Sequence, residues 1–270
     1  MTNIIEQLRS VMRAASIEPP EAIIADGRLH RFYIEGDKRG TCNGWYVLYL
    51  DGIPSGAFGS WKTGETHTWR AKDRRAFTEG EWAEYHRKIS EARRQKEEAQ
   101  ARDSAKTREK AASIWRRSLS VEIHPYLTRK RVKVYGVRQH RGYLVIPLRD
   151  TSGVIHSLQF IDAEGNKRFL SGGAISSHYH PIGQYQGTLC IAEGYATAAT
   201  IHQATGHAVA VAFNAGNLKP VALALRAKFP EARIIVCGDS DPVGIAKGRE
   251  AAQAVQGYLA LPDFKEVDHG

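Results

Sequence analysis

The sequence predicts a chain that ends in an α/β domain, a mostly parallel sheet flanked by helices. A mixed α+β region and a small β-rich N-terminal module precede it. Three observations predict this. From Thr188 onward short apolar runs alternate with helical patterns, which argues for strand–helix units in a parallel sheet. Two of those runs close in acidic motifs, Cys190-Ile191-Ala192-Glu193-Gly194-Tyr195 and Ile234-Ile235-Val236-Cys237-Gly238-Asp239-Ser240-Asp241. Between residues 29 and 70 the pattern is instead of short, aromatic-rich alternating strands.

Taken in order, Ile4, Ile5, Leu8, Val11, Met12 and Ala15 recur at helical spacing, and Pro19-Pro20 stops that helix. Arg31-Phe32-Tyr33-Ile34 and Trp45-Tyr46-Val47-Leu48-Tyr49-Leu50 read as strands, with Asp51-Gly52 as a hairpin signal. Gly56 to Ser60 and Trp61 to Trp69 continue the antiparallel reading, which closes a module over residues 1–77. Residues 78–120 read as a long helix dense in Lys, Arg, Glu and Gln, almost without an apolar stripe from 92 to 112 and so a solvated linker. In 121–187, Gly142 to Leu148, Val154 to Phe160 and Lys167 to Leu170 are strands around turns at Asp150–Gly153 and Asp162–Asn166. His178-Tyr179-His180 invites a metal reading, but no acidic or Cys partner stands at ligand spacing, and a polar loop is the simpler account. In 188–270 the expected order is strand 188–192, helix 195–205, strand 207–213, helix 217–228, strand 233–237, helix 244–256 and strand 257–261.

With 270 residues and 42% hydrophobic content the chain has enough for two domains with proper cores. A formal charge of +9 suits a phosphate-rich partner such as nucleic acid. The three cysteines, Cys42, Cys190 and Cys237, stand far apart, so neither a disulfide framework nor a cysteine zinc site is expected. No stretch reaches 18 apolar residues, which excludes a helical membrane span and points to a cytoplasmic protein.

Chemistry collects at the carboxyl ends of parallel strands. Glu193, Asp239 and Asp241 would repel each other there unless a divalent cation held them. The bland alternative is that Asp239 or Asp241 caps the helix that follows. Lys167-Arg168 can hold phosphate or be an ordinary solvated turn. Asn214-Ala215-Gly216-Asn217 can contact a nucleotide phosphate or cap the next helix, and the residues leave that even.

The ordered set resembles the Toprim domain and, within that group, the catalytic unit of bacterial-type primases, in the form carried by plasmids and phages. The resemblance covers roughly 123–261. Gly142 to Asp150 with Gly153 resembles the primase strand pair before the core, and Lys167-Arg168-Phe169-Leu170-Ser171 its basic motif. Glu193-Gly194-Tyr195 resembles the glutamate motif, and Asp239-Ser240-Asp241 with Gly244 the aspartate motif. Two positions depart from the family: Thr197 stands where an aspartate is usual, and with only Cys42 in the N-terminal module the family's zinc ribbon has no counterpart.

The resemblance implies metal-dependent primer synthesis on single-stranded DNA. Glu193, Asp239 and Asp241 would be catalytic and metal-binding, with Mg²⁺ or Mn²⁺ and without zinc. Lys167, Arg168, Arg141, Asn214 and Asn217 would contact nucleotide or DNA, and Asp263, Glu266 and Asp268 are candidates for a further acidic motif. NTPs, a single-stranded template and a replicative helicase are the implied partners, with no membrane. A Toprim nuclease and a non-catalytic single-strand-binding replication adaptor are the alternatives.

Overall fold

The computed structural model describes residues 2–37, 39–72 and 77–262. The chain divides into two compact units, Met1–Arg102 and Asp103–Gly270.

In the first unit, α1 (Thr2–Ala14) precedes an antiparallel meander of β1 (His30–Phe32), β2 (Gly44–Tyr49), β3 (Ser55–Ser60) and β4 (Thr66–Arg70). Strand β2 is apolar throughout because both its faces are covered. Tyr46 and Leu48 pack with Leu8 and Met12 of α1, while Trp45 and Val47 pack with Ala92 of α2 (Glu79–Arg117). Two of the four tryptophans here, Trp45 and Trp69, are therefore core, and Trp61 and Trp82 are partly exposed.

Helix α2 is 39 residues long, as its composition predicts, but it is not solvated along its length. Tyr85, Ile89 and Ala92 are buried in the first unit, and Ala111 is buried in the second against Val145, Leu158, Phe160 and Leu170. The packing positions in the weakly patterned stretch are alanines, whose small side chains permit close approach without marking an apolar stripe.

The second unit holds two sheets. The first runs β5-β6-β7-β8-β9, all antiparallel: β5 (Leu119–Ser120), β6 (Arg138–His140), β7 (Tyr143–Arg149), β8 (Ile155–Ile161) and β9 (Lys167–Phe169). Helix α3 (Pro125–Lys130) precedes β6 and is capped by the His124 ring. The second sheet runs β10-β12-β11-β13-β14: β10 (His180–Ile182), β11 (Thr188–Ala192), β12 (Ala208–Val211), β13 (Arg233–Cys237) and β14 (Tyr258–Ala260). Its pairings are parallel except for β10, which runs antiparallel to β12. This is the predicted mostly parallel α/β sheet.

Residues alternate across each strand, so inner strands such as β7 and β11 each feed two cores. Leu144, Ile146 and Leu148 of β7 join Cys190, Ala192, Val209 and Val211 with Tyr195 and Ala198 of α4 (Tyr195–Thr205). On the opposite face Ile191, Ala210 and Ile234 meet α5 (Leu218–Lys228) and α6 (Pro242–Ala254). Burying each such Leu or Ile contributes about 1.5–3 kcal/mol. The loop reading of His178-Tyr179-His180 is corrected: Tyr179 and His180 are buried, and His180 and Ile182 point inward on edge strand β10. A strand of three residues containing a proline is too short to show its alternation in sequence.

Candidate functional site

Strand β11 delivers Glu193 to the carboxyl edge of the parallel sheet. It ends at Ala192, and Gly194 is the extended cap residue of α4, with no side-chain cap. Tyr195 fixes this turn. Its ring is buried, its hydroxyl accepts from Tyr135 N–H at 2.7 Å, and burial pushes its pKa up. Glu193 is thereby half-buried, and its Oε1 is fully buried without a hydrogen-bond partner. An unpaired buried carboxylate oxygen costs free energy on the order of kcal/mol, so a ligand is the simplest reason to retain it.

Strand β13, parallel to β11 in register Ala192↔Cys237, brings Asp239 and Asp241 to the same edge. Both are exposed. Asp241 Oδ1 accepts from Gly244 N–H at 2.7 Å and caps α6, which begins with Pro242. The capping alternative thus holds for Asp241. Helix α6 starts close to the strand end because Gly244 has no side chain: a Cβ there would lie 2.8 Å from the Asp239 carbonyl oxygen.

Electrostatics ties the residues together. The Glu193 pKa is raised, first by burial and then by the Asp239 and Asp241 carboxylates, while Lys167 opposes the shift. The Lys167 pKa is lowered, first by desolvation and then by Lys130, against the attraction of Asp239 and Glu193. A Cβ on Gly194 would lie 3.9 Å from Lys167 Nζ, so the ammonium stands over the Glu193–Gly194 turn. Among the described residues no group of three or more His, Cys, Asp or Glu is already gathered closely enough to hold a metal ion. The donors present are nonetheless all carboxylate oxygens, the chemistry that hard divalent cations take, and the unpartnered Glu193 oxygen fits such an ion.

The structure separates other predicted site residues. Lys167 and Arg168 are neighbours on β9 and so leave opposite faces of the sheet. The Arg168 guanidinium lies 4.6 Å from the Tyr143 ring centroid and 5.2 Å from that of Phe160. Arg141 is exposed in the two-residue turn joining β6 to β7, where Arg141 (φ 51°) and Gly142 (φ 82°) are both left-handed. Asn214 is exposed and caps the short helical turn after β12 through Asn217 N–H, at 3.0 Å. Asn217 is 3% exposed and its amide is fully engaged: it accepts from Ser177 N–H at 2.8 Å and donates to the His178 and Ala212 carbonyls at 3.0 and 2.8 Å. Thr197 is exposed on the first turn of α4, with its hydroxyl 3.8 Å from a Gly194 Cβ position. Asp263, Glu266 and Asp268 lie outside the described residues. Lys130, which sequence reading passed over, faces Lys167 electrostatically, and only its place in the basic run Arg129-Lys130-Arg131 hinted at it.

Residues 188–265 match the Toprim domain family, and the parallel sheet with its flanking helices is that fold. The chain is homologous to two proteins of Escherichia coli, both named DNA primase TraC. It is 34% identical to one over 264 residues, which cover 91% of this chain and 18% of that protein. It is 36% identical to the other over 267 residues, which cover 89% of this chain and 24% of that protein. The chain thus spans less than a quarter of the length of either relative. Among solved structures, the primase fragment of the bacteriophage T7 primase-helicase protein matches with a TM-score of 0.42 at 20% identity, covering 54% of this chain and 71% of that one.

Proposed function

We propose that this Toprim-containing homologue of the TraC primases is itself a DNA primase, making short primers on a single-stranded DNA template. The observation that carries the reading is the buried, unpartnered Glu193 oxygen beside Asp239, Asp241 and Lys167 at one strand edge. Primer synthesis is attack of a 3′-hydroxyl on the α-phosphate of an incoming nucleotide, with pyrophosphate leaving. Glu193, Asp239 and Asp241 would hold Mg²⁺ or Mn²⁺, which when bound activates the hydroxyl and offsets charge on the phosphate. Asp241 has one oxygen in the α6 cap, so Glu193 and Asp239 carry most of the binding. Lys167 supplies a partly desolvated ammonium over the same turn and pairs with nucleotide phosphate, an interaction stronger there than in open water. Glu193 would complete that metal site or take the proton of the attacking hydroxyl. Arg141, exposed on its turn, is a contact for template backbone. NTPs and a helicase working beside the chain complete the reading, in replication of a plasmid, phage or similar element.

The test is primer synthesis on single-stranded DNA with labelled NTPs and Mg²⁺ or Mn²⁺, beside the double variant Asp239→Ala, Asp241→Ala. Short labelled products from the wild type alone support the reading. Metal-dependent degradation of the template without products turns it to nuclease, and tight binding with neither outcome turns it to a DNA-binding adaptor.

A further inference from the structure

The second unit carries a pair of arginines that no carboxylate pairs with among the described residues. A groove of about 450 Å³ is lined by Trp115, Ser120, Arg138, Arg149, His180 and Pro181 together with apolar residues, and none of the described residues in its walls is acidic. Arg138 Cζ lies 4.6 Å and Arg149 Cζ 5.7 Å from the centroid of the same Trp115 ring. Each guanidinium is held by one carbonyl: Arg138 Nη1 donates to Trp115 O at 2.8 Å and Arg149 Nη1 to Gly153 O at 2.7 Å. Asp150, next to Arg149 in sequence, turns away, its oxygens taken by Ser152, Val154 and His156. Among the described residues no carboxylate pairs with either arginine. Burial of Arg149, and after it the repulsion from Arg138 beside the same ring, lower its pKa.

We infer that Arg138 and Arg149 beside Trp115 form a phosphate-binding site separate from the carboxylate cluster. Planar guanidiniums with several N–H donors each still available suit phosphate oxygens, and an anion there removes the repulsion. The site is distinct from Lys167. Lys167 pairs with Ile161, which pairs with Leu144 at one end of β7, whereas Arg149 stands at the other end, about 17 Å along the strand. The phosphate can belong to a nucleic-acid strand or to a free nucleotide. The inference rests on the proposed function only for the owner of that phosphate.

The test uses the full chain and a labelled single-stranded oligonucleotide, with affinity read by anisotropy across salt concentrations. The variant Arg138→Gln, Arg149→Gln loses two phosphate contacts, so the slope of log K against log salt should fall by about 1.4. A parallel titration with ATP in chelator separates the sources: loss confined to ATP assigns the site to free nucleotide, and loss of slope assigns it to a strand. An unchanged slope and unchanged ATP affinity overturn the site. Phenylglyoxal modification of the wild type, mapped by mass spectrometry, covers the case of a variant that does not fold. Oligonucleotide or ATP should protect both arginines by about threefold or more, and equal modification with and without ligand overturns the inference. Primer synthesis with an unchanged slope overturns this site alone, while protected arginines without primer synthesis keep the site and sink the primase reading.

Discussion

Two loops follow neighbouring parallel strands of one sheet and treat a buried polar side chain in opposite ways. After β12, Asn217 is buried with every amide position used, tying Ser177, His178 and Ala212 together. After β11, Glu193 is half-buried with one oxygen paired to nothing, and it faces two further carboxylates. The first arrangement lowers the free energy of the fold; the second raises it. A polar group satisfied from within explains itself by stability, whereas one left wanting marks the place where a ligand completes the structure.

Substitutions should therefore move the two loops in opposite directions. The largest stability effect belongs to Asn217→Ala, which strands two carbonyls and an N–H and should cost about 3 kcal/mol. Urea unfolding reads it, and a loss under 1 kcal/mol would mean the amide is not the tie described. Next comes Gly244→Ala, whose methyl meets the Asp239 carbonyl at 2.8 Å. It should cost about 2 kcal/mol and depress primer synthesis by shifting Asp239, and undiminished synthesis would show that the close approach is slack. Asp241→Ala removes the α6 cap and should cost about 1 kcal/mol, whereas Asp241→Ser should restore most of that stability without restoring activity. Activity returning with serine would reduce Asp241 to a cap alone.

The smallest effect has the opposite sign. Glu193 has its folded pKa raised above the unfolded value. Its linked stability is fully present below the unfolded pKa and is lost as pH rises through the folded pKa. Glu193→Gln removes that loss, so without metal at neutral pH the variant should melt about 2 °C higher than the wild type. The advantage should vanish as pH falls below the ordinary carboxylate range, and a variant less stable at pH 7 would contradict the account of Glu193.

Much of this fold is legible in the sequence because its strands are apolar runs closed by glycine or acid. Strand β11 and helix α4 lie where Thr188–Ala192 and Tyr195–Thr205 put them. The carboxylates were legible because each sits within four residues beyond such a run. Asn217 was not separable from a ligand contact, since whether an amide is satisfied depends on Ser177 and His178, forty residues earlier in the chain. Lys167 and Arg168 read as one basic pair, and only strand β9, three residues long, sends them to different faces. Edge strand β10 and the packing of α2 through Ala92 and Ala111 escaped for the same reason, because short elements and small residues leave little periodic signal.

The central claim is that Glu193 and its neighbouring aspartates are unsatisfied for the sake of a divalent cation. Thermal unfolding in chelator and then with Mn²⁺, on the wild type and on Glu193→Gln, Asp239→Asn, tests it most directly. The account predicts that Mn²⁺ raises the wild-type midpoint and leaves the variant at its metal-free value, with the variant the more stable in chelator at pH 7. An equal rise in both proteins, or none in the wild type, would contradict it.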